Sequence, residues 1–384
     1  MGERRILMGN EAIARGLVEA GCEVVTSYPG TPSSEILPAV LACRGELEAL
    51  VAVEWSLNEM VAFQVALGAA WAGKRAATVM KQVGLNVAAD ALMSAAYTGC
   101  PGGFVVVSAD DPGPYSSQTE QDSRFFAQFA KVPVLDPSSP EEARRYARLA
   151  LELSEKFEIP VILRPSLRVC HSRQGMAVES ARPATRPAAF KKNPRRWAAT
   201  PRDRFELHKI LNRKLVDIAA AVEADPELTF ATPGAGRRGI IAGGVLRGIV
   251  ADFAAGREIE VPMLHVGVPF PLPLPAVERF VAGLDEVLVL EETAPVIEQQ
   301  IRDRRAVRGR LTGDIPAEGE LSGQKIEEIV GAFLGLPQPE RAALTPPRAP
   351  AAKRPALCPG CPHRNSFYAI KKAFPKGIFT GDIG

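Results

Sequence analysis

The sequence is short of long apolar runs, of cysteine and of net charge, and each shortage closes off a class of function. No apolar run approaches the roughly 20 residues that a helix needs to cross a bilayer, so no membrane partner is expected. Six scattered cysteines in 384 residues are too few for a disulfide framework, which makes a reducing, cytoplasmic compartment the expectation. A formal net charge of +2 gives no electrostatic argument for nucleic acid or an anionic surface. The opening MGERRILMGNEAIARG lacks the apolar core of a signal peptide, and Ile6 fails the Ser/Thr requirement of a myristoylation signal. No short-period repeat is present.

What remains is an ordinary globular composition, 46% hydrophobic and 23% charged, with a length suited to two or three domains. Ten of the 33 prolines fall in two breaks. Residues 182–204, RPATRPAAFKKNPRRWAATPRDR, are basic and proline-rich without an apolar period; residues 336–355, LPQPERAALTPPRAPAAKRP, are similar. Both read as linkers or extended straps; the basic one could grip a phosphate, but a solvated crossover is the simpler reading. The organisation expected is therefore a first domain at 1–180, a linker at 181–204, a second domain at 205–335, a linker at 336–356 and a short segment at 357–384.

Between the breaks, strand-like and helix-like stretches alternate. Strands are expected at 23–27, 49–53, 76–80, 104–108 and 161–164, with helices at 10–20, 34–41, 58–72, 84–96 and 141–157. The fold class is α/β, with a mostly parallel, doubly wound sheet covered on both faces. A second, smaller α/β unit begins with a helix at 204–223. It continues with strands at 239–241, 263–266 and 286–290 and helices at 244–253, 276–282 and 293–303. The last segment offers a helix at 365–374 and a strand at 377–380, too little to bury a core.

Three places in the first domain could carry chemistry. After the strand ending at Ser27, Gly30 permits a tight turn, Thr31 is suited to an N-cap and Pro32 to the first helical position. Such a turn is an anion site or simply a structural cap. Glu54 follows an apolar strand at its carboxyl end, where open α/β sheets place ligands. A helix N-terminal charge explains it equally well. The polar loop from Asp110 to Arg124 carries Ser117, Gln118 and an arginine able to hold a carboxylate, against the plain reading of a solvated loop. Lys81 and Asn86, after the strand at 76–80, could reach the same mouth. Apart from these, Cys358-Pro-Gly-Cys361 brings two thiols within reach of one metal or cluster, while a closed site needs about four ligands.

The segments YPGTPSSEI (28–36), VEWSLNEMVAF (53–63), VGLNVAADALMSAAYTG (83–99) and DDPGPYSSQTEQDSR (110–124) resemble the α subunits of indolepyruvate ferredoxin oxidoreductases. HVGVPFPLP (265–273), DEVLVLEETAPVIEQQI (285–301) and LCPGCPHR (357–364) extend the resemblance in order along the chain. That family belongs to the thiamine-diphosphate-dependent 2-oxoacid:ferredoxin oxidoreductases. The resemblance implies a pyrimidine-binding thiamine domain, a transketolase C-terminal-like domain, and the start of a diphosphate-binding thiamine domain. It implies oxidative decarboxylation of aryl 2-oxoacids to acyl-coenzyme A, with electrons passing to ferredoxin and with a β subunit as partner.

By the same resemblance Glu54 is the catalytic carboxylate that hydrogen-bonds the aminopyrimidine. Thr31 and Arg124 fall to the substrate; Gly30, Lys81, Asn86, Ser117 and Gln118 fall to the cofactor. Cys358 and Cys361 look like ligands of a [4Fe–4S] cluster. The family's magnesium and diphosphate motif is expected beyond Gly384, and Asp382 does not stand for it, so thiamine diphosphate, Mg²⁺ and cluster sites are all expected to be incomplete. Two other classes of function compete: a non-catalytic partner-binding protein built on thiamine-type domains, and a zinc module using Cys358, Cys361 and His363. A 2-oxoacid oxidoreductase with a different substrate is a third alternative.

Overall fold

The computed structural model describes residues 3–181, 187–337 and 359–379. The first part of the chain runs β1 (Arg4–Met8), α1 (Gly9–Glu19), β2 (Val24–Ser27), α2 (Ile36–Glu46), β3 (Ala52–Trp55), α3 (Glu59–Trp71) and β4 (Ala76–Lys81). It continues through α4 (Gln82–Val87), α5 (Ala89–Thr98), β5 (Phe104–Ala109), α6 (Ser123–Ala130), β6 (Val134–Leu135), α7 (Pro140–Phe157), β7 (Val161–Leu163), α8 (Leu167–His171) and β8 (Arg173–Ala177). Among the described residues, six of these strands form an all-parallel sheet in the order β3-β2-β4-β5-β7-β6. The central strands read AATVMK and FVVVSA and are buried along almost their whole length, as expected for a sheet covered on both faces. The amphipathic α7 starts cleanly because Ser139 caps it, accepting from Glu142 N, with Pro140 at the first helical position.

A strap follows, containing α9 (Pro194–Trp197), and then the long α10 (Pro201–Ala224). The described residues of the strap are held down around α9. Trp197 packs between Phe190 and Trp71, with ring centroids 5.2 and 5.3 Å away, and Arg196 donates to Thr98 O at 2.6 Å. Helix α10 turns Leu211, Ile218 and Val222 into the core of the first sheet, so it caps that sheet as well as leading to the next.

The second sheet is built from β9 (Thr229–Thr232), β10 (Arg238–Gly243), β11 (Met263–Val266), β12 (Glu286–Leu290) and β13 (Val307–Arg308), with α11 (Val245–Gly256), α12 (Leu274–Ala282) and α13 (Gly323–Leu334). Its order is β13-β12-β10-β11-β9, parallel except for the antiparallel β9. The two sheets belong to one compact unit, Met1–Pro337, rather than standing as separate bodies. Edge strand β6 is continuous with the second sheet's loops: Val134 N donates to Phe270 O and Asp136 N to Gly267 O, both at 2.8 Å. Gly244, with φ +54°, leaves room for the Asp136 carboxylate, since a Cβ there would lie 2.8 Å from both of its oxygens.

The other compact unit, Gln338–Gly384, contains α14 (Pro362–Ala373), entered from Cys361, whose Sγ lies 3.3 Å from His363 Nδ1. Cys358 and Asp382 fall outside the described residues. The strand expected over 377–380 is not present at residues 377–379, and Thr380 is again outside them.

Several expectations need correction. Residues 47–51 finish α2 in a turn, so the strand expected at 49–53 begins at Ala52, and it is an edge strand with mostly exposed residues. The helix expected at 84–96 is two helices broken at Ala88. The helix expected at 293–303 is a single 3-10 turn, Glu298–Gln300. There the amides of Thr293 and Ala294 donate to Asp122, and those of Ile297 and Glu298 donate to Glu291. Side chains thus hold four amides of the segment, which runs through bends and turns into the 3-10 turn.

Candidate active site

Because β2, β3, β4 and β5 run parallel, their carboxyl ends open on one edge of the first sheet, and most of the sequence-derived candidates gather there. The turn after β2 is not the capped helix start expected from its sequence. Ser33 N and Oγ both return to Gly30 O, at 2.8 and 2.9 Å, and α2 starts only at Ile36 behind Glu35. Thr31 therefore caps nothing. Its side chain is exposed and makes no hydrogen bond among the described residues, while Pro32 O is held by Asn10 Nδ2 at 2.7 Å.

Lys81, the last residue of β4, lies across this turn. A Cβ on Gly30 would come within 2.8 Å of Lys81 Cδ and 3.0 Å of its Cγ, so only glycine allows the two strands' ends to approach in this way. The ammonium reaches on to donate to Ser116 O at 3.1 Å, and Ser116 Oγ donates to Thr31 O at 3.3 Å. Gly30, Thr31, Lys81 and the loop after β5 are thereby one connected surface.

That loop is ordered by a residue the sequence reading passed over. Asp111 is fully buried, and its Oδ2 accepts from Ser116 N at 2.8 Å and from Ser117 Oγ at 2.9 Å. Gln82 ties the loop's two ends, accepting from Asp111 N at 2.6 Å and donating to Thr119 O at 2.9 Å. Asn86 donates to Gln121 Oε1 at 3.0 Å, one turn further along. Gln118 stands exposed at the tip and makes no hydrogen bond among the described residues. The signal available in the sequence was the Asp110-Asp111 pair directly after a buried strand, where carboxylates must find partners. The second sheet's loops also hold the site loop: Glu120 accepts from Gly319 N at 3.1 Å, and Tyr115 donates to Glu320 at 2.9 Å.

Glu54 lies within β3, in register with Thr26. Parallel neighbours share a face, and Thr26 Oγ1 donates to Ala62 O of α3 at 2.6 Å, so Glu54 stands on the α3 side. It is not the anionic residue at that helix's start: Asn58 is the cap, accepting from Val61 N at 2.9 Å, and Glu59 occupies the first turn. The Glu54 carboxylate is exposed, with Ser56 Oγ donating to Oε1 at 2.9 Å. Its chain neighbours Trp55 and Leu57 are also open, 46% and 88% exposed, with Trp55 turned to the opposite face of the strand.

Arg124 is not placed to hold a substrate. It is completely buried; Nε and Nη2 bind Asp122, Nη1 binds Glu291 Oε2 at 3.0 Å, and Nη2 also reaches Ala294 O. Against the desolvation of its burial, the Arg124 and Arg164 guanidiniums hold Asp122 below the usual carboxylate range. Arg164 in turn binds Asp110 at 2.7 Å and Asp136 at 3.3 Å. This charged network joins the two sheets.

Among the described residues, no group of three or more His, Cys, Asp or Glu side chains is arranged to hold a metal ion, and no helix is long and apolar enough to cross a membrane. Cys361 is the described half of the cysteine pair.

Residues 15–225 match the family described as pyruvate flavodoxin/ferredoxin oxidoreductase, thiamine diphosphate-binding. The chain is 41% identical over its whole length to the indolepyruvate oxidoreductase subunit IorA of Thermococcus kodakarensis, covering 62% of that protein. It is 40% identical to the subunit of the same name from Archaeoglobus fulgidus, covering 64%. It thus spans less than two thirds of the length of these relatives. A solved 2-oxoglutarate:ferredoxin oxidoreductase from Magnetococcus marinus superposes with a TM-score of 0.68, covering 86% of this chain and 66% of that one at 18% identity. A split-gene transketolase superposes with a TM-score of 0.55 at 14% identity, covering 86% and 99%. At those identities the likeness is one of fold.

Proposed function

The chain belongs to the pyruvate flavodoxin/ferredoxin oxidoreductase family with its thiamine diphosphate-binding domain, and on that premise we propose that it forms part of the catalytic α subunit of an indolepyruvate ferredoxin oxidoreductase. The reaction is the oxidative decarboxylation of an aryl 2-oxoacid to its acyl-coenzyme A, with electrons delivered to ferredoxin and with a β subunit completing the enzyme in the cytoplasm. The observation that carries this reading is the Glu54 carboxylate, exposed on β3 at the carboxyl edge of the first sheet.

The residues present fit the aminopyrimidine end of thiamine diphosphate. Glu54 has an accessible carboxylate with one oxygen steadied by Ser56, able to hold a proton against a ring nitrogen. When bound, the cofactor supplies the carbon nucleophile and the electron sink for decarboxylation. This chain's own part is to fix the pyrimidine through Glu54 and to present the exposed Thr31 hydroxyl to the 2-oxoacid. Gly30, Lys81, Asn86, Ser117 and Gln118 shape the wall on which the two meet. The magnesium ion and the [4Fe–4S] cluster belong to the proposal through the family and through Cys358 and Cys361; the described residues do not themselves fit either, and no step is derived through them.

The test is ferredoxin reduction by the chain purified in its complete complex, with indolepyruvate, pyruvate and 2-oxoglutarate as substrates. Glu54→Gln is expected to lower turnover by at least ~10²-fold, the scale of removing a group that governs proton transfer. Undiminished turnover in that variant overturns the assignment of Glu54. Preference for 2-oxoglutarate over indolepyruvate overturns the substrate.

A further inference from the structure

A cavity of about 620 Å³ lies at the opposite end of the first sheet, lined by Tyr97 and Thr98 of α5, Glu158 after α7, Arg195 of the strap, and Arg202 and Lys214 of α10. Thr98 precedes β5, so this cavity is at the amino ends of the strands and the candidate active site at their carboxyl ends.

The acidic groups around it are occupied. Glu158 is paired with Arg196 at 2.7 Å, Glu206 with Lys209 at 2.8 Å, and Asp203 accepts from the Thr200 hydroxyl at 2.6 Å. Arg195 and Arg202 make no hydrogen bond or ion pair among the described residues. Two free guanidiniums on a cavity rim suit a phosphate. The half-buried Lys214 has its Nζ fixed on Glu158 O at 2.9 Å. Burial, and then the neighbouring Arg196 guanidinium, lower the Lys214 ammonium below the usual lysine range. Lys214 thus lines the cavity with its Nζ held on a single carbonyl.

We propose that Lys214 is an acyl-acceptor site, modified in this cavity by acyl groups activated on a phosphate-bearing carrier. The amine lone pair attacks the donor's carbonyl carbon and an amide N–C bond forms. The C–S bond of a thioester, or the C–O bond of an acyl phosphate, breaks with its electron pair on the leaving group. The nitrogen gives up one proton, which the leaving thiolate or phosphate takes directly or through water. Nothing is oxidised or reduced. The proposed activity would itself yield such a thioester, but the inference does not depend on that activity, because the donor can be added to the purified protein.

The experiment treats the full chain with acetyl-coenzyme A, with acetyl phosphate, and with the uncharged thioester S-acetyl-N-acetylcysteamine, and follows each lysine by peptide mass spectrometry. Lys214 is expected to be acetylated ahead of the exposed Lys209 by at least one phosphate-bearing donor, and which donor leads identifies the carrier. In the Arg195→Gln/Arg202→Gln double variant the leading donor's rate at Lys214 should fall about tenfold, the effect of two phosphate contacts together worth about 1.4 kcal/mol. The uncharged thioester should label Lys214 equally in both proteins, showing the cavity intact. Labelling of Lys214 no faster than Lys209 overturns the proposal. So does a double variant whose rates are unchanged, or in which the uncharged donor slows in parallel.

Discussion

Arg124 on α6 and Glu291 at the end of β12 meet 3.0 Å apart, both fully buried, and form the charged contact through which the two sheets are locked. The same guanidinium holds Asp122, whose carboxylate accepts the amides of Thr293 and Ala294 from the second sheet's loop. The loop of the candidate active site ends at Asp122, so its last residues are set by the inter-sheet lock.

Arg124→Ala should therefore destabilise the protein by about 3–5 kcal/mol, because it strands buried carboxylates without a partner. The midpoint of urea unfolding is the measurement. Removing both sides, in Arg124→Met/Glu291→Gln, should recover part of that loss, and a double variant no more stable than Arg124→Ala would show that the contact is not the source.

Gly30→Ala tests the approach of the first turn to Lys81. The added methyl forces the lysine away and breaks its bond to Ser116 O, displacing the wall beside Thr31. Turnover of the complete complex should fall by roughly 10–10²-fold, the usual consequence of an ångström-scale misplacement. The unfolding midpoint should hardly move, since neither residue is in the core. An unchanged turnover would remove Lys81 from the site.

Asp111→Ala removes the carboxylate on which Ser116 and Ser117 are hung. The loop over residues 112–121 should become the first point of protease attack, ahead of the strap, and far-ultraviolet circular dichroism should be unchanged. Cleavage confined to the strap in both proteins would show that Asp111 does not order the loop.

His265 gives a pH dependence of definite sign. It is stacked on Phe230 at 4.3 Å, hydrogen-bonded to Thr232 at 3.0 Å, and lies near Arg247 and Glu142. Burial, and then Arg247, lower its pKa from 6.5 to about 4. Between those values the unfolded chain takes up a proton that the folded protein refuses, so the contribution is full above pH 6.5 and is lost as pH falls toward 4. Stability against pH in that window should be less steep in His265→Gln, by up to about 1.4 kcal/mol per pH unit. Parallel slopes for the two proteins would show that His265 titrates normally in the fold.

The local pattern carried much of the architecture. Strands β11 and β12 lie where their apolar residues place them, at Met263–Val266 and Glu286–Leu290, and α7 covers the helix expected at 141–157. The clustering of Gly30, Thr31, Lys81 and Ser117 followed from parallel strands whose ends must share an edge. Short edge strands were not legible. β1, β6, β8 and β13 are two to five residues long, and the partly exposed ones show no apolar alternation to announce them.

The sequence by itself determined the α/β class of fold, because that depends on short-range periodicity and on the alternation of strands with helices. Tertiary structure decided which polar residues face solvent. Arg124 and Glu54 both stand near strand or loop ends in the sequence, yet one is sealed among carboxylates and the other lies open on the edge strand. Strand order and the partner of a buried charge are set by contacts between residues as far apart as Arg124 and Glu291, and no local pattern encodes which distant carboxylate will arrive.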